Sequence, residues 1–188
     1  MSKIIAAMNM TLDGFCDHTS MNADEEIHQH YNDLLRNAGT LVYGRTTYQL
    51  MEDYWPGLVK NPSGNKPMDD FAVLIDNISK IVFSTTLKEV SWKNSVLKNK
   101  INREEMLSLK QTGNGLNKDI LVGSPGMIAT FTNLHLIDEY QISVHPVIVG
   151  KGLILFKNIQ ERVELKLIKT KTFACGAVTF YYETLSEP

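Results

Sequence analysis

Two stretches of this chain place glycine and hydroxyl residues, one of them with an arginine, where a strand gives way to a helix, and that chemistry can hold a phosphate. In Ile120-Leu121-Val122-Gly123-Ser124-Pro125-Gly126-Met127 an apolar run breaks into a glycine turn, and a helical run follows. Ser124 suits an N-cap, and Pro125 suits the first helical position because its missing N–H would be unpaired anyway. The amides from Gly126 onward would face outward with the positive end of the helix dipole. The stretch is neither the G-x-G-x-x-G of doubly wound dinucleotide-binding folds nor a P-loop. Taken alone it reads first as a tight turn, with a phosphate cradle as the alternative.

Gly44-Arg45-Thr46-Thr47-Tyr48 repeats the arrangement with an arginine and two hydroxyls. A guanidinium beside helix-terminal amides suits a phosphate ester; the alternative is that Arg45 pairs with a carboxylate and the threonines merely cap. Ser84-Thr85 adds hydroxyls at a third strand end. Together the sites could take two ends of a dinucleotide, although nothing in the sequence shows that the three strand ends meet. Asp13-Gly14 follows the first strand, where glycine permits positive φ or close approach to a flat ring, or simply turns the chain.

Other chemistries find little support. His28 and His30 lie two apart on a helix and point to different sides, and Cys16-Asp17-His18 has no second ligand cluster at zinc spacing. No metal site is expected. No G-x-S-x-G marks a hydrolase. His145-Pro146, ending a strand, either lines a pocket or packs at an edge.

The 188 residues fit a single domain, 1–188, with a net charge of −2 that argues against a nucleic-acid partner. Seven of the 19 Lys and Arg residues fall between Lys88 and Lys118, read here as a solvated segment. Cys16 and Cys175 form no paired motif, which favours a reduced, cytoplasmic setting. The N-terminal apolar run is too short for a signal peptide or a membrane span, so a soluble protein is expected.

Element by element, Lys3–Met10 reads as a strand, Asp24–Asn37 as a helix capped by Asn22 or Asp24, and Gly39 as its C-cap glycine. Thr40–Tyr43 is a strand and Gly44-Arg45 opens a helix to about Glu52. Tyr54–Pro67 reads as a loop, Met68–Asp76 as a short helix and Lys80–Ser84 as a strand. Residues 101–111 look helical and Thr112–Gly115 looks like a loop. Glu139–Val149 is a strand, and Val163–Phe173 with Ala177–Tyr182 form a hairpin. This order predicts a three-layer α/β fold, a mixed and mostly parallel sheet with an antiparallel C-terminal edge.

With these pieces in place, the chain resembles the dihydrofolate reductase-like superfamily, and within it the C-terminal reductase domain of bifunctional riboflavin-biosynthesis proteins. The residues that carry the likeness are MTLDGF (10–15), GRTTY (44–48), KIVFSTTL (80–87), ILVGSPGMI (120–128) and LIDEYQISVHPVIVGKGLILF (136–156). The resemblance implies NADPH as hydride donor. It implies that Arg45 and Thr47, with Gly44 and Thr46 of the same motif, bind a cofactor phosphate. Ser84 and Thr85 would lie near the adenosine 2′-phosphate, Gly123 to Met127 would hold the pyrophosphate, and Asp13 and Gly14 would lie beside the nicotinamide. Asp13 is the one catalytic candidate; His28, Tyr48 and His145 are candidates for a substrate pocket. The implied reaction is that of a 5-amino-6-(5-phosphoribosylamino)uracil reductase, by a homodimer. Dihydrofolate or pteridine reduction, and nucleotide binding without turnover, are the alternatives. The zinc-binding deaminase half has no counterpart here. Two departures weigh against folate: His28 falls near the place of the pterin carboxylate, and Val144 stands where those reductases keep threonine.

Overall fold

Apolar runs with few alternations belong in a sheet buried on both faces, and the first of them forms β1 (Ile4–Thr11). The computed structural model describes residues 2–16, 19–21, 23–112 and 118–185. Asp17, His18, Asn22 and the expected loop over Gly113–Gly115 lie outside them.

After β1 come α1 (Glu25–Asn37), β2 (Ala38–Gly44), α2 (Arg45–Lys60), α3 (Lys66–Asn77), β3 (Ser79–Phe83) and β4 (Ser95–Lys98). Then follow α4 (Arg103–Thr112), β5 (Asp119–Val122), α5 (Pro125–Asn133), β6 (Glu139–His145), β7 (Leu165–Thr172) and β8 (Val178–Thr184). One eight-stranded sheet results, in the order β4-β3-β2-β5-β1-β6-β8-β7. The strands from β4 to β6 pair in parallel, and β8 and β7 close the edge antiparallel. Ile4, Ala6, Val122 and Ile142 pack with Met106 of α4 and Ile128 and Phe131 of α5. On the opposite face Ile5, Leu41 and Leu121 meet Leu35, Tyr48 and Ile75 from α1, α2 and α3. These are the three layers expected.

Several boundaries differ from the sequence reading. Gly39 lies in β2 and Ala38 caps α1; the ladder with β5 slips between Ala38 and Thr40, and a Cβ on Gly39 would come 3.1 Å from Lys118 Cβ. Its glycine serves a bulge and a close approach, not a helix end. The stretch Tyr54–Pro67 is mostly helix: α2 continues through Pro56 to Lys60, because Met51 and Trp55 keep its apolar face on the core. Asn65 then caps α3 by accepting from Met68 N at 3.1 Å. Strand β6 stops at His145, before Pro146.

A buried ionic cluster fixes the chain between β3 and β4. Lys80 is 1% exposed, and its ammonium donates to the carbonyls of Asp76 (3.2 Å), Ile78 (3.0 Å) and Lys93 (3.3 Å). It also sits 4.2 Å over the Trp92 ring. Asp76 accepts from Trp92 Nε1 at 2.7 Å and pairs with Lys93 at 2.5 Å. Burial pushes the Lys80 ammonium down to about 8 from its ordinary 10.5. Between those values the unfolded chain holds more protons than the folded one, so this group adds stability as pH rises through that window, by up to about 3 kcal/mol. Denaturant titrations of wild type and Lys80→Met at pH 7.5 and pH 10 should show the difference between them shift in favour of the wild type. An unchanged difference would contradict the buried charge.

Candidate functional site

Ligands of open parallel sheets bind beyond the carboxyl ends of the strands, and here that edge is stepped. Strand β5 ends at Val122, paired with Ala6 of β1 and Val42 of β2. Strand β1 runs on to Thr11 beside β6, while β2 runs on to Gly44 beside β3. A notch therefore opens above β5. From β4 to β1 the edge extends about 19 Å at the usual strand spacing, room for an elongated ligand.

Two helices start on one side of the notch, and a side-chain contact joins them. Thr47 Oγ1, in the first turn of α2, lies 2.9 Å from Ser124 Oγ, at the N-cap of α5. That bond takes Ser124 away from its expected capping role: it makes no side-chain bond to its own helix. The amides of Gly126 and Met127 are therefore uncapped, since the first helical bond is Ile128 N to Ser124 O, at 2.8 Å. Helix α2 begins at a glycine with no side-chain cap and no acidic residue in its first turn, so the amides of Thr46 and Thr47 are uncapped as well, while that of Arg45 faces β3 in the Gly44–Phe83 pairing. Gly44 allows the two ends to approach; a Cβ there would lie 3.3 Å from Ser124 Oγ. A Cβ on Gly126 would meet nothing within 4 Å, which leaves the space over α5 open. The Arg45 side chain is exposed and makes no ion pair or hydrogen bond among the described residues, so the carboxylate pairing considered for it does not occur.

Beside this pair, β3 ends at Phe83, opposite Gly44. Ser84 Oγ accepts from the amides of Thr86 (3.1 Å) and Leu87 (3.0 Å), and Ser84 N donates to Lys98 O at 2.9 Å. Ser84 and Thr85 line a cleft of about 610 Å³ with Leu97, Lys98, Lys100 and Glu105.

On the other side of the notch, Asp13 ties two loops together. Its carboxylate accepts from Thr11 Oγ1 (2.6 Å), Val149 N (3.1 Å) and Gly150 N (2.7 Å). The Thr11 hydroxyl, ahead of the two loop amides, holds the Asp13 carboxyl below its usual range. It stays ionised with three donors on it, which suits a clamp between the two loops. The clamp is present above the ordinary carboxylate range and is lost as pH falls through the depressed value. Asp13→Ala should speed amide exchange at Val149 and Gly150 several-fold while leaving the β1–β6 ladder protected; unchanged exchange there would contradict the clamp. Gly14 has φ +88°, which explains its glycine.

His145 is buried and donates from Nε2 to Asn9 Oδ1 at 3.0 Å, and burial lowers its pKa. His28, half-buried, donates from Nδ1 to the Asp24 carbonyl at 3.0 Å. Asp24 caps α1 and also accepts from Cys175 N at 2.8 Å, so this helix start is fixed to the β7–β8 turn. His30 packs instead against Tyr31, Phe173 and Tyr181, and burial pushes it down to about 4. Tyr48 cannot line a pocket. It is 1% exposed, donates to Glu52 at 2.8 Å and accepts from Trp92 N at 2.9 Å, which makes it part of the core under α2.

A family model for the RibD C-terminal domain matches residues 2–179. The chain belongs to the RibD C-terminal domain family. Among its relatives, the uncharacterized protein YyaP of Bacillus subtilis is 34% identical over 184 residues, 96% of this chain and 94% of that one. A Shewanella sp. PV-4 protein assigned provisionally to riboflavin biosynthesis shares the fold at TM-score 0.75 and 18% identity, over 98% of this chain and 99% of its own. The riboflavin biosynthesis reductase Rib7 of Saccharomyces cerevisiae does so at TM-score 0.62 and 11% identity, over 98% and 90%.

Within this RibD C-terminal domain, the sequence reading missed Asn9 and Thr11, which β1 sets beside His145 through the Thr11–His145 register. It also missed the cleft residues on β4 and α4. Lys98 and Lys100 are two apart at a strand end, a spacing the sequence does contain but which has no meaning until β4 is recognised as a strand. No helix among the described residues is long and apolar enough to cross a membrane.

Proposed function

We propose that this protein is an NADPH-dependent reductase of a small heterocyclic substrate, with 5-amino-6-(5-phosphoribosylamino)uracil or a close analogue as the substrate class. The observation that carries the reading is the Thr47–Ser124 contact, which puts two uncapped helix N-termini and an unpartnered arginine beside one notch. Family membership supports the same reading. The donor set fits a dinucleotide: free amides of α5 for the pyrophosphate, Arg45 with the amides of α2 for a further phosphate, Ser84 and Thr85 toward the adenosine end. When bound, the nicotinamide supplies the hydride. The chain's own work is to bind, orient and exclude water. The loop that Asp13 holds and the turn at Gly14 border the nicotinamide end, while His28, His145 and Asn9 lie on the side of β1 and β6 where substrate would sit. A homodimer is part of the proposal; Leu167 and Ile168 are exposed on the edge strand β7, where a second copy could pack. The cell compartment proposed is the cytoplasm.

The test is a fluorescence titration with NADPH and NADH, followed by absorbance of the reduced nicotinamide with the pyrimidine intermediate and with dihydrofolate. Tight NADPH binding and oxidation by the pyrimidine support the proposal. Oxidation by dihydrofolate alone assigns a pteridine reductase, NADPH binding without any turnover assigns a nucleotide-binding protein, and failure to bind either nucleotide overturns the reading.

A further inference from the structure

Past Ala6, β1 has no strand partner on the β5 side, and Asn9 lies on this open stretch. Met8 and Met10 turn to the core under α4 and α5, so strand alternation sends Asn9 to the other face, with Thr11. We propose that the Asn9 carboxamide reads the substrate, donating from Nδ2 to a carbonyl oxygen of the heterocycle, and that buried His145 is the positioning residue that fixes this orientation. The proposal rests on the reductase reading above and deepens it. The site prefers a ring oxo group to a ring amine at the position that Asn9 meets.

Three observations converge on Asn9. Its Oδ1 accepts from His145 Nε2 at 3.0 Å, so the amide nitrogen points the opposite way, and Nδ2 donates to nothing among the described residues. Secondly, Asn9 is half-buried whereas His145 is 1% exposed, so the amide is within a ligand's reach and the imidazole stands behind it. Thirdly, the hydroxyls around the pair are engaged elsewhere. Thr11 Oγ1 donates to Asp13 and accepts from Phe15 N at 3.0 Å. Ser143 Oγ, opposite Asn9 in the β1–β6 register, lies 2.6 Å from Thr179 Oγ1. The imidazole is also held neutral, because burial lowers its affinity for a proton against the pull of the Asp24 carboxylate. A neutral ring with its proton on Nε2 leaves the amide one orientation, since a half-turn would set two donors against each other. An unrestrained asparagine suits either partner by flipping. One held at Oδ1 presents only its donor.

The experiment measures Kd for 5,6-diaminouracil and 5,6-diaminocytosine, which differ by one oxo-for-amino exchange, on the protein saturated with NADP+. Wild type, Asn9→Asp, Asn9→Ala, His145→Phe and His145→Gln are compared. The proposal predicts that wild type prefers the uracil by about tenfold, the worth of one hydrogen bond. Asn9→Asp, which offers only acceptors, should reverse the preference, and Asn9→Ala should erase it. His145→Phe should bring the ratio close to one, because the released amide flips to suit either ring. His145→Gln, whose amide nitrogen can still donate to Oδ1, should restore it. Nitrogen NMR of His145 in wild type should find the ring proton on Nε2; a proton on Nδ1 overturns the orientation. A merely structural Asn9–His145 link would change stability or both affinities together and leave the ratio alone. If NADP+ binds and the uracil is not preferred, or Asn9→Asp leaves the ratio unchanged, this inference falls and the nucleotide reading stands. If wild type binds no nicotinamide nucleotide, the function itself falls. Should His145→Phe fail to fold, the Asn9→Asp ratio decides alone.

Discussion

Replacing Arg45 with alanine should weaken NADPH binding by about ten- to a hundredfold while leaving the fold as stable as before. Arg45 is exposed at the first position of α2, with no acidic residue in that turn and no ion pair among the described residues. A cation at the positive end of a helix is opposed by the dipole, so the fold gains nothing from it. Alanine should therefore leave the thermal midpoint unchanged or slightly higher. The loss of affinity should be larger at low salt, because an exposed guanidinium acts through screened charge as well as contact. An affinity within twofold of wild type would remove Arg45, and with it the phosphate role of the 44–48 motif.

The second large effect concerns stability. Asp76→Ala should cost about 3–5 kcal/mol, because removing one member of a buried ionic cluster leaves its partners uncompensated. Trp92 Nε1 loses its acceptor, and Lys93 loses its carboxylate and keeps only Asn77 Oδ1. Lys80 keeps its three carbonyls but loses the nearby countercharge that favours its protonated form. A loss of that size is a large share of the stability of a typical domain. Asp76→Asn, which can still accept from Trp92, should cost less. Adding Lys80→Met to Asp76→Ala should recover part of the loss, since the uncompensated cation goes with it. Denaturant midpoints would show this, and a cost below about 1 kcal/mol for Asp76→Ala would mean that the cluster is already solvated. The same cluster anchors Trp92 and Lys93 ahead of β4, so its failure should also loosen the cleft at Lys98.

How far the sequence foretold this molecule depends on how local each feature is. The strand-to-helix turns at Gly44 and Gly123 were legible because glycine, serine and N1 proline carry their backbone preference with them. Their meeting was not. Thr47 and Ser124 are 77 residues apart, and they touch because β5 inserts between β2 and β1. The same non-local bond explains why Ser124 sits at the N-cap yet does not cap. The order of elements anticipated the sheet, including its antiparallel edge, because strands alternate with helices until a closing hairpin. Tertiary packing decided the rest. Pro56 lies inside a helix whose apolar face is held by Met51 and Trp55, and Gly39 fills a bulge. Strand β4, four residues of mixed polarity, has no periodicity long enough to separate it from loop. Asp13 looked available for chemistry until Val149 and Gly150, far along the chain, proved to occupy it. Tyr48 likewise lay in a motif but points into the core.

The central claim is that one ligand's phosphates bridge the starts of α2 and α5. Amide hydrogen exchange, read residue by residue with and without saturating NADPH, tests it most directly. The account predicts added protection at Thr46 and Thr47 together with Gly126 and Met127, whose amides have no acceptor in the free protein. NADPH binding that protects neither helix start, or only one of them, would contradict it.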